Sequence, residues 1–206
     1  MGKSAMLRKI HASALQYQSY LAGKTFLYVY EDNYIEVVFK NSSFLHLTGV
    51  NTKLKAKEFY QHAKKKNGLK VKEFFFDKDH PYDLAEKKTD CLEDLYKITS
   101  SEVLITGDVV TLTANYKIGI TDLQFILLCG PNKDKHGKLV DDCLVPYSFR
   151  IEEISNEKFG NLYEVDFIFS KDTNQKSYDT ITYKGTKRIE DIPQEIKDKL
   201  NLDGDN

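Results

Sequence analysis

A histidine stands in the run Phe44-Leu45-His46-Leu47-Thr48-Gly49, and its imidazole can exchange a proton near neutral pH. Thr48, two residues on, offers a hydroxyl to orient the ring or an anion. Later in the chain Ser148, Arg150 and Lys184 fall in β-rich stretches, with Lys117 and Tyr183 in similar settings. These residue types suit metal-independent cleavage of RNA. The 2′-hydroxyl is the internal nucleophile, a base removes its proton, an acid protonates the leaving 5′-oxygen, and a cation stabilises the charged phosphorane. His46 fits the base or acid role, and Arg150 or Lys184 fits the cation role. The types alone are unspecific, and a histidine kept for packing is the competing reading.

Lysines cluster close to that histidine. Residues 51–73 carry Lys53, Lys55, Lys57, Lys64, Lys65, Lys66, Lys70 and Lys72 against Glu58 and Glu73. Lys53, Lys57 and Lys64, with Tyr60, are therefore candidate substrate contacts on the rim of a His46 cleft. A polyphosphate partner would use such a patch; a plain solvated helix face would look the same.

The elements that must position these groups follow from periodicity. Leu7, Ile10, Ala14, Tyr17 and Leu21 recur at helical spacing, and Gly23 ends the run. Residues 25–30 and 34–40 form two strands around an Asp32-Asn33 turn. The His46 stretch is expected to resume an extended course and turn at Gly49. Helix is expected over 52–67, with Thr52 as its N-cap, and over 82–99, opened by Pro81. Leu84, Cys91, Leu95 and Ile98 share the apolar face of the second. From residue 100 the β signal dominates. Gly107-Asp108 is expected to turn a hairpin, 118–129 to form one central strand, and 145–151, 162–170 and 177–184 to follow as strands. A short helix begins at Pro193, and a frayed tail closes the chain. The order implies an α+β fold: a twisted, mainly antiparallel sheet, an N-terminal hairpin and two or three covering helices. The expected division is an N-terminal helix (1–24), one α+β domain (25–192) and a short C-terminal helix with its tail (193–206).

Composition narrows the function classes. The chain has 206 residues and a net charge of −1, so it is not a basic nucleic-acid-binding tail. Cys91, Cys129 and Cys143 are odd in number and lack metal-site spacing, which suits free thiols in a reducing compartment. Walker and Rossmann loops, paired metal-ligand motifs, a Gly-x-Ser-x-Gly elbow and helix-turn-helix or zinc-finger signatures are all missing from the sequence. Neither a metal nor a cofactor is expected. No run is apolar enough to span a bilayer or to serve as a signal peptide.

The stretch 34–39, then Asn41-Ser42-Ser43-Phe44-Leu45-His46-Leu47-Thr48-Gly49-Val50, then Phe59-Tyr60, resembles the fourth group of Barnase–EndoU–colicin E5/D–RelE-like nuclease domains of phages and mobile elements. The Phe-x-His-Leu-Thr-Gly core is the most specific part. The resemblance implies an α+β fold over roughly residues 20–190, action on RNA without metal, and a place in the cytoplasm of a bacterial host. It carries over His46 and Thr48; Ser148, Arg150 and Lys184 rest on residue type. The partner is then RNA. The alternative is a host protein, bound and inhibited by an inert nuclease-like fold, which the Tyr and Phe content also suits. The oligomeric state is left open.

Overall fold

The computed structural model describes residues 2–110, 115–151 and 161–202. It has an α+β architecture: a nine-stranded, mainly antiparallel sheet with helices packed against it. Helix α1 (Lys3–Tyr20) buries Met6, Ile10, Ala14 and Tyr17, as its spacing dictates, and the chain leaves it through Gly23 at φ 79°. Strands β1 (Lys24–Tyr30) and β2 (Asn33–Val38) form the expected hairpin. They do not lie apart from the later strands. The order is β11-β10-β1-β2-β8-β7-β6-β5-β9, so the hairpin sits inside the sheet. β2 and β8 (Leu139–Arg150) run parallel, unlike every other pair in this sheet.

The His46 stretch departs from the expected strand. It is a short helix, α2 (Ser43–Thr48), ended by Gly49 at φ 74°. Phe44, Leu47 and Thr48 turn inward and His46 outward. Six residues are too few for periodicity to separate a buried strand from a buried helix, although a glycine just past the last apolar residue is a helix-stop signal. The next helix is also shorter than expected. Asn51 and Thr52 form a strand, β3 (Asn51–Thr52), paired with β4 (Phe74–Phe75). The Thr52 hydroxyl donates to Glu73 O at 2.5 Å instead of capping a helix. Helix α3 (Ala56–Ala63) starts only after Lys55. Helix α4 (Tyr82–Cys91) follows Pro81 and tightens into a 3-10 segment, Leu92–Thr99, which packs along α1.

Three further expectations give way in the sheet. Gly107 lies within β5 (Leu104–Val110), opposite Ile118 of β6 (Asn115–Thr121); the β5–β6 connection lies outside the described residues, as does the tail. The apolar run 118–129 is split between β6 and β7 (Ile126–Lys133). Its turn is built by side chains. Thr121 Oγ1 donates to Phe125 O at 2.6 Å, Asp122 Oδ1 accepts from Gln124 N at 3.0 Å, and Leu123 takes φ 73°. The run 162–170 is likewise two strands, β9 (Leu162–Glu164) on β5 and β10 (Phe167–Asp172) on β1. β11 (Thr180–Lys184) then pairs with β10, and α5 (Gln194–Lys197) follows Pro193. Two residues thus join strands far apart in the sheet order, a span of at most about 11 Å. The sheet therefore curls until β9 approaches β10, with Asp166 N donating to Val29 O at 2.7 Å.

The core between sheet and helices is aromatic at its α2 end. Phe44 is fully buried, with its ring centroid 5.3 Å from those of Tyr17 and Tyr60. Phe44→Ala should cost about 3–5 kcal/mol of stability in urea titration. Leu15→Ala, at an exposed position of α1, should stay within about 0.5 kcal/mol of wild type. Equal effects would contradict this packing.

Candidate functional site

β2 and β8 are parallel, so their carboxyl ends lie on one side. α2 follows β2 directly and packs on β8. That topology brings residues a hundred positions apart into one cleft of about 620 Å³. α2 and the residues after it contribute His46, Gly49 and Asn51. The loop before α4 contributes Asp79 and His80. One face of α4 contributes Leu84, Lys87 and Lys88, at helical spacing. β8 contributes Tyr147, Ser148 and Arg150.

The His-Leu-Thr-Gly turn earns its place by packing. Thr48 is buried, and its hydroxyl donates to Leu45 O at 2.7 Å and accepts from Val50 N at 3.4 Å. It holds the end of α2 and does not line the cleft. Gly49 supplies a left-handed φ that other residues resist. It also leaves room for α4: a β-carbon there would lie 2.8 Å from Lys88 Cδ and 3.2 Å from Ala85 Cα. The stem of Lys88 therefore crosses over Gly49 toward the cleft. Lys88 is only 7% exposed, and among the described residues no carboxylate pairs with it. Burial, with a further contribution from Arg150, lowers its pKa to about 8.

His80 is held differently. Its Nδ1 lies 3.1 Å from Asp77 Oδ1, which fixes the ring and leaves Nε2 available. Asp77 is itself fixed by the Asn51 amide at 2.5 Å and by the backbone N–H groups of Asp79 and His80. These bonds, Asn51's foremost, keep its carboxyl below the usual range. His46 opens onto the cleft yet is crowded by its walls. That desolvation, then the charges of His80 and Lys88, lowers its pKa. The mutual influence places two imidazoles, an amine and a guanidinium in one field, with Asp79 as the acidic group on the lining among the described residues.

Of the residues singled out in the sequence, His46, Ser148 and Arg150 meet here. The others do not. Lys184 is on β11, the far edge strand, four positions from β8 in the sheet order. Tyr60 is sealed in the core, 1% exposed, with burial pushing its pKa up to about 12; its aromatic neighbours Tyr17 and Phe44 leave it no path to a substrate. Lys53, Lys57 and Lys64 are absent from the cleft rim. α3 buries Phe59, Tyr60 and Ala63, which turns its lysines elsewhere. Lys57 lines a separate groove beside Phe39 and Thr173, and Lys64 Nζ sits 5.4 Å over the Tyr60 ring. Sequence reading missed His80 and Lys88. Asp77-x-x-His80-Pro81, a carboxylate three residues before a histidine at a helix start, was the legible signal for the first. Nothing local marks the second. Among the described residues no group of three His, Cys, Asp or Glu side chains converges as a metal site would require, and no helix is long and apolar enough to cross a membrane.

The family model described as phage-Barnase-EndoU-ColicinE5/D-RelE like nuclease4 matches residues 9–187. The chain belongs to this nuclease-like family. The match runs from α1 through β11 and so includes every wall of the cleft. No curated protein and no solved structure matches the chain.

The buried amine yields a prediction with a definite sign. Lys88 has a lower pKa folded, about 8, than its ordinary 10.5. The folded state thus bears the full cost of the buried charge below pH 8 and is relieved of it as pH rises to 10.5. Lys88→Met should raise stability at pH 7 by about 1–3 kcal/mol. Its advantage over wild type should shrink between pH 8 and 10.5 in paired urea titrations. A pH-independent difference would show that the amine is solvated. Gly49→Ala should lose about 1–3 kcal/mol from the left-handed φ and the displaced α4, read by the same titration.

Proposed function

We propose that the chain is a metal-independent endoribonuclease that cleaves RNA by transesterification at the 2′-hydroxyl. The observation that carries this reading is the convergence of His46 and His80 with Lys88 and Arg150 in one cleft. His46, whose depressed pKa keeps it neutral near pH 7, takes the proton of the 2′-hydroxyl. The 2′-oxygen attacks the adjacent phosphorus, and the bond from phosphorus to the 5′-oxygen breaks. His80, oriented by Asp77, gives the leaving 5′-oxygen a proton. Lys88 and Arg150 stabilise the charge that builds on the non-bridging oxygens, and Ser148 hydrogen-bonds one of them. The products are a 2′,3′-cyclic phosphate and a 5′-hydroxyl.

The pH dependence follows from the general acid His80 and from the two shifted groups, His46 and Lys88. Activity needs His46 unprotonated, so its acid limb falls below the ordinary histidine range. It needs His80 protonated to act as the acid, and it needs Lys88 protonated, so the loss of the Lys88 charge adds to the alkaline decline above about pH 8. Lys88→Arg should take away the Lys88 share of that decline and leave the share set by His80. Purified protein should cleave a mixed RNA pool in EDTA, leaving cyclic phosphate termini by mass spectrometry and sparing all-deoxy oligonucleotides. His46→Ala and His80→Ala should each lower kcat by about 10²–10⁴-fold. Wild-type rates in both variants would remove the histidines from the mechanism. Intact RNA under all conditions, with a stoichiometric protein captured from bacterial lysate, would favour the inhibitory binding protein.

A further inference from the structure

Tyr147 enters the cleft through a fault in the sheet. On β8, Arg150, Phe149 and Ser148 pair with Ile126, Leu127 and Leu128, but the next β7 residue, Cys129, pairs with Pro146. Tyr147 is the extra residue of a β-bulge, a device that re-aims side chains. Pro146, which has no N–H to give the ladder, marks where regular pairing fails. In an unbroken strand Tyr147 would share a face with buried Phe149, opposite Ser148 and Arg150. With the bulge, Tyr147, Ser148 and Arg150 all line the cleft.

The ring is held in place once there. Its hydroxyl donates to Pro131 O at 2.6 Å. One side lies against Gly130, where a β-carbon would come within 2.3 Å of Tyr147 Cε2. The ring is nonetheless 41% exposed and makes no ring contact among the described residues, whereas exposed Tyr20 is stacked on Tyr96. α4 presents Leu84, 39% exposed, to the same cleft. An anchored aromatic face and an apolar side chain in one cleft with a group of cations match what an unstacked nucleobase on a phosphate chain requires.

We propose that Tyr147 is the base-binding platform of the cleft. A nucleobase of single-stranded RNA stacks on its open face, Leu84 closes over the base, and the attached phosphate lies at Lys88 and Arg150. The choice of RNA rests on the ribonuclease reading; the stacking can be measured without cleavage.

The chain contains no tryptophan, so Tyr147→Trp installs a single reporter. Its fluorescence should be quenched by an uncleavable all-deoxy oligonucleotide and left unchanged by an abasic one of equal length. Tyr147→Ala and Tyr147→Leu should each bind the base-containing oligonucleotide about tenfold more weakly, with abasic binding unchanged. Tyr147→Phe should stay within about twofold of wild type. Wild-type affinity in the Leu variant would assign Tyr147 to packing alone and overturn the platform. Equal loss of base-containing and abasic binding, or no binding of either by wild type, would overturn it too. If Tyr147-dependent binding stands while RNA stays intact, the ribonuclease reading fails and the platform survives.

Discussion

Gly49 and the backbone of Ala85 pass so closely that one methyl group between them would force either α2 or α4 to move. The cleft depends on this contact. It sets the distance between the helix that carries His46 and the helix that carries Lys88. It also gives the lysine stem a surface to lie on, so that its amine reaches the cleft while the rest of the side chain stays buried. The hydroxyl of Thr48, turned back onto Leu45 O, holds the end of α2 that makes the approach possible. The sequence motif around His46 is therefore mainly a packing device, and the histidine is its outward-facing member.

What forms around that contact is electrostatically costly. Among the described residues Lys88 is buried without a carboxylate partner, and its neighbours Arg150 and His46 add like charge when protonated. A fold selected for stability alone would fill this position with an apolar side chain. Shifted titrating groups concentrated in a cleft are a mark of functional sites. Under the ribonuclease reading, a phosphate would bring negative charge to these cations. The Asp77 carboxylate is spent on His80 rather than on the lysine, which keeps the two imidazoles in different surroundings.

Sequence patterns recovered what depends on long, regular repeats. The face of α1 was legible because its apolar residues recur over about four turns, and the α+β class because strands and helices segregate along the chain. The shape of the His46 stretch was not, because Phe44, Leu47 and Thr48 satisfy a helix and a buried strand almost equally well over six residues. The hairpin inside 118–129 was hidden by Leu123, an apolar residue in a left-handed turn that Thr121 and Asp122 build with their side chains. Ser148 and Arg150 were found by residue type, but their meeting with His46 depends on the parallel β2–β8 pairing, which no local signal encodes. Lys88 was invisible for the same reason: a lysine is buried by what packs on it. The lysines of α3 drew attention by number, yet α3 turns them away from the cleft.

The curled sheet has a consequence for the order in which the molecule is made. β1, near the start of the chain, needs β10 as a neighbour, and β2 needs β8. During synthesis the first hundred residues emerge with His46, His80 and Lys88, yet with the β1–β2 hairpin open along both edges. Such distant pairings close slowly, because the intervening chain must first be ordered. The wall bearing Tyr147, Ser148 and Arg150 arrives only after two-thirds of the chain, and the sheet closes later still, when residues 165 and 166 cross to β10. A nascent chain on the ribosome, an assembly largely of RNA, thus holds the parts of the cleft separately until β8 and β10 have emerged.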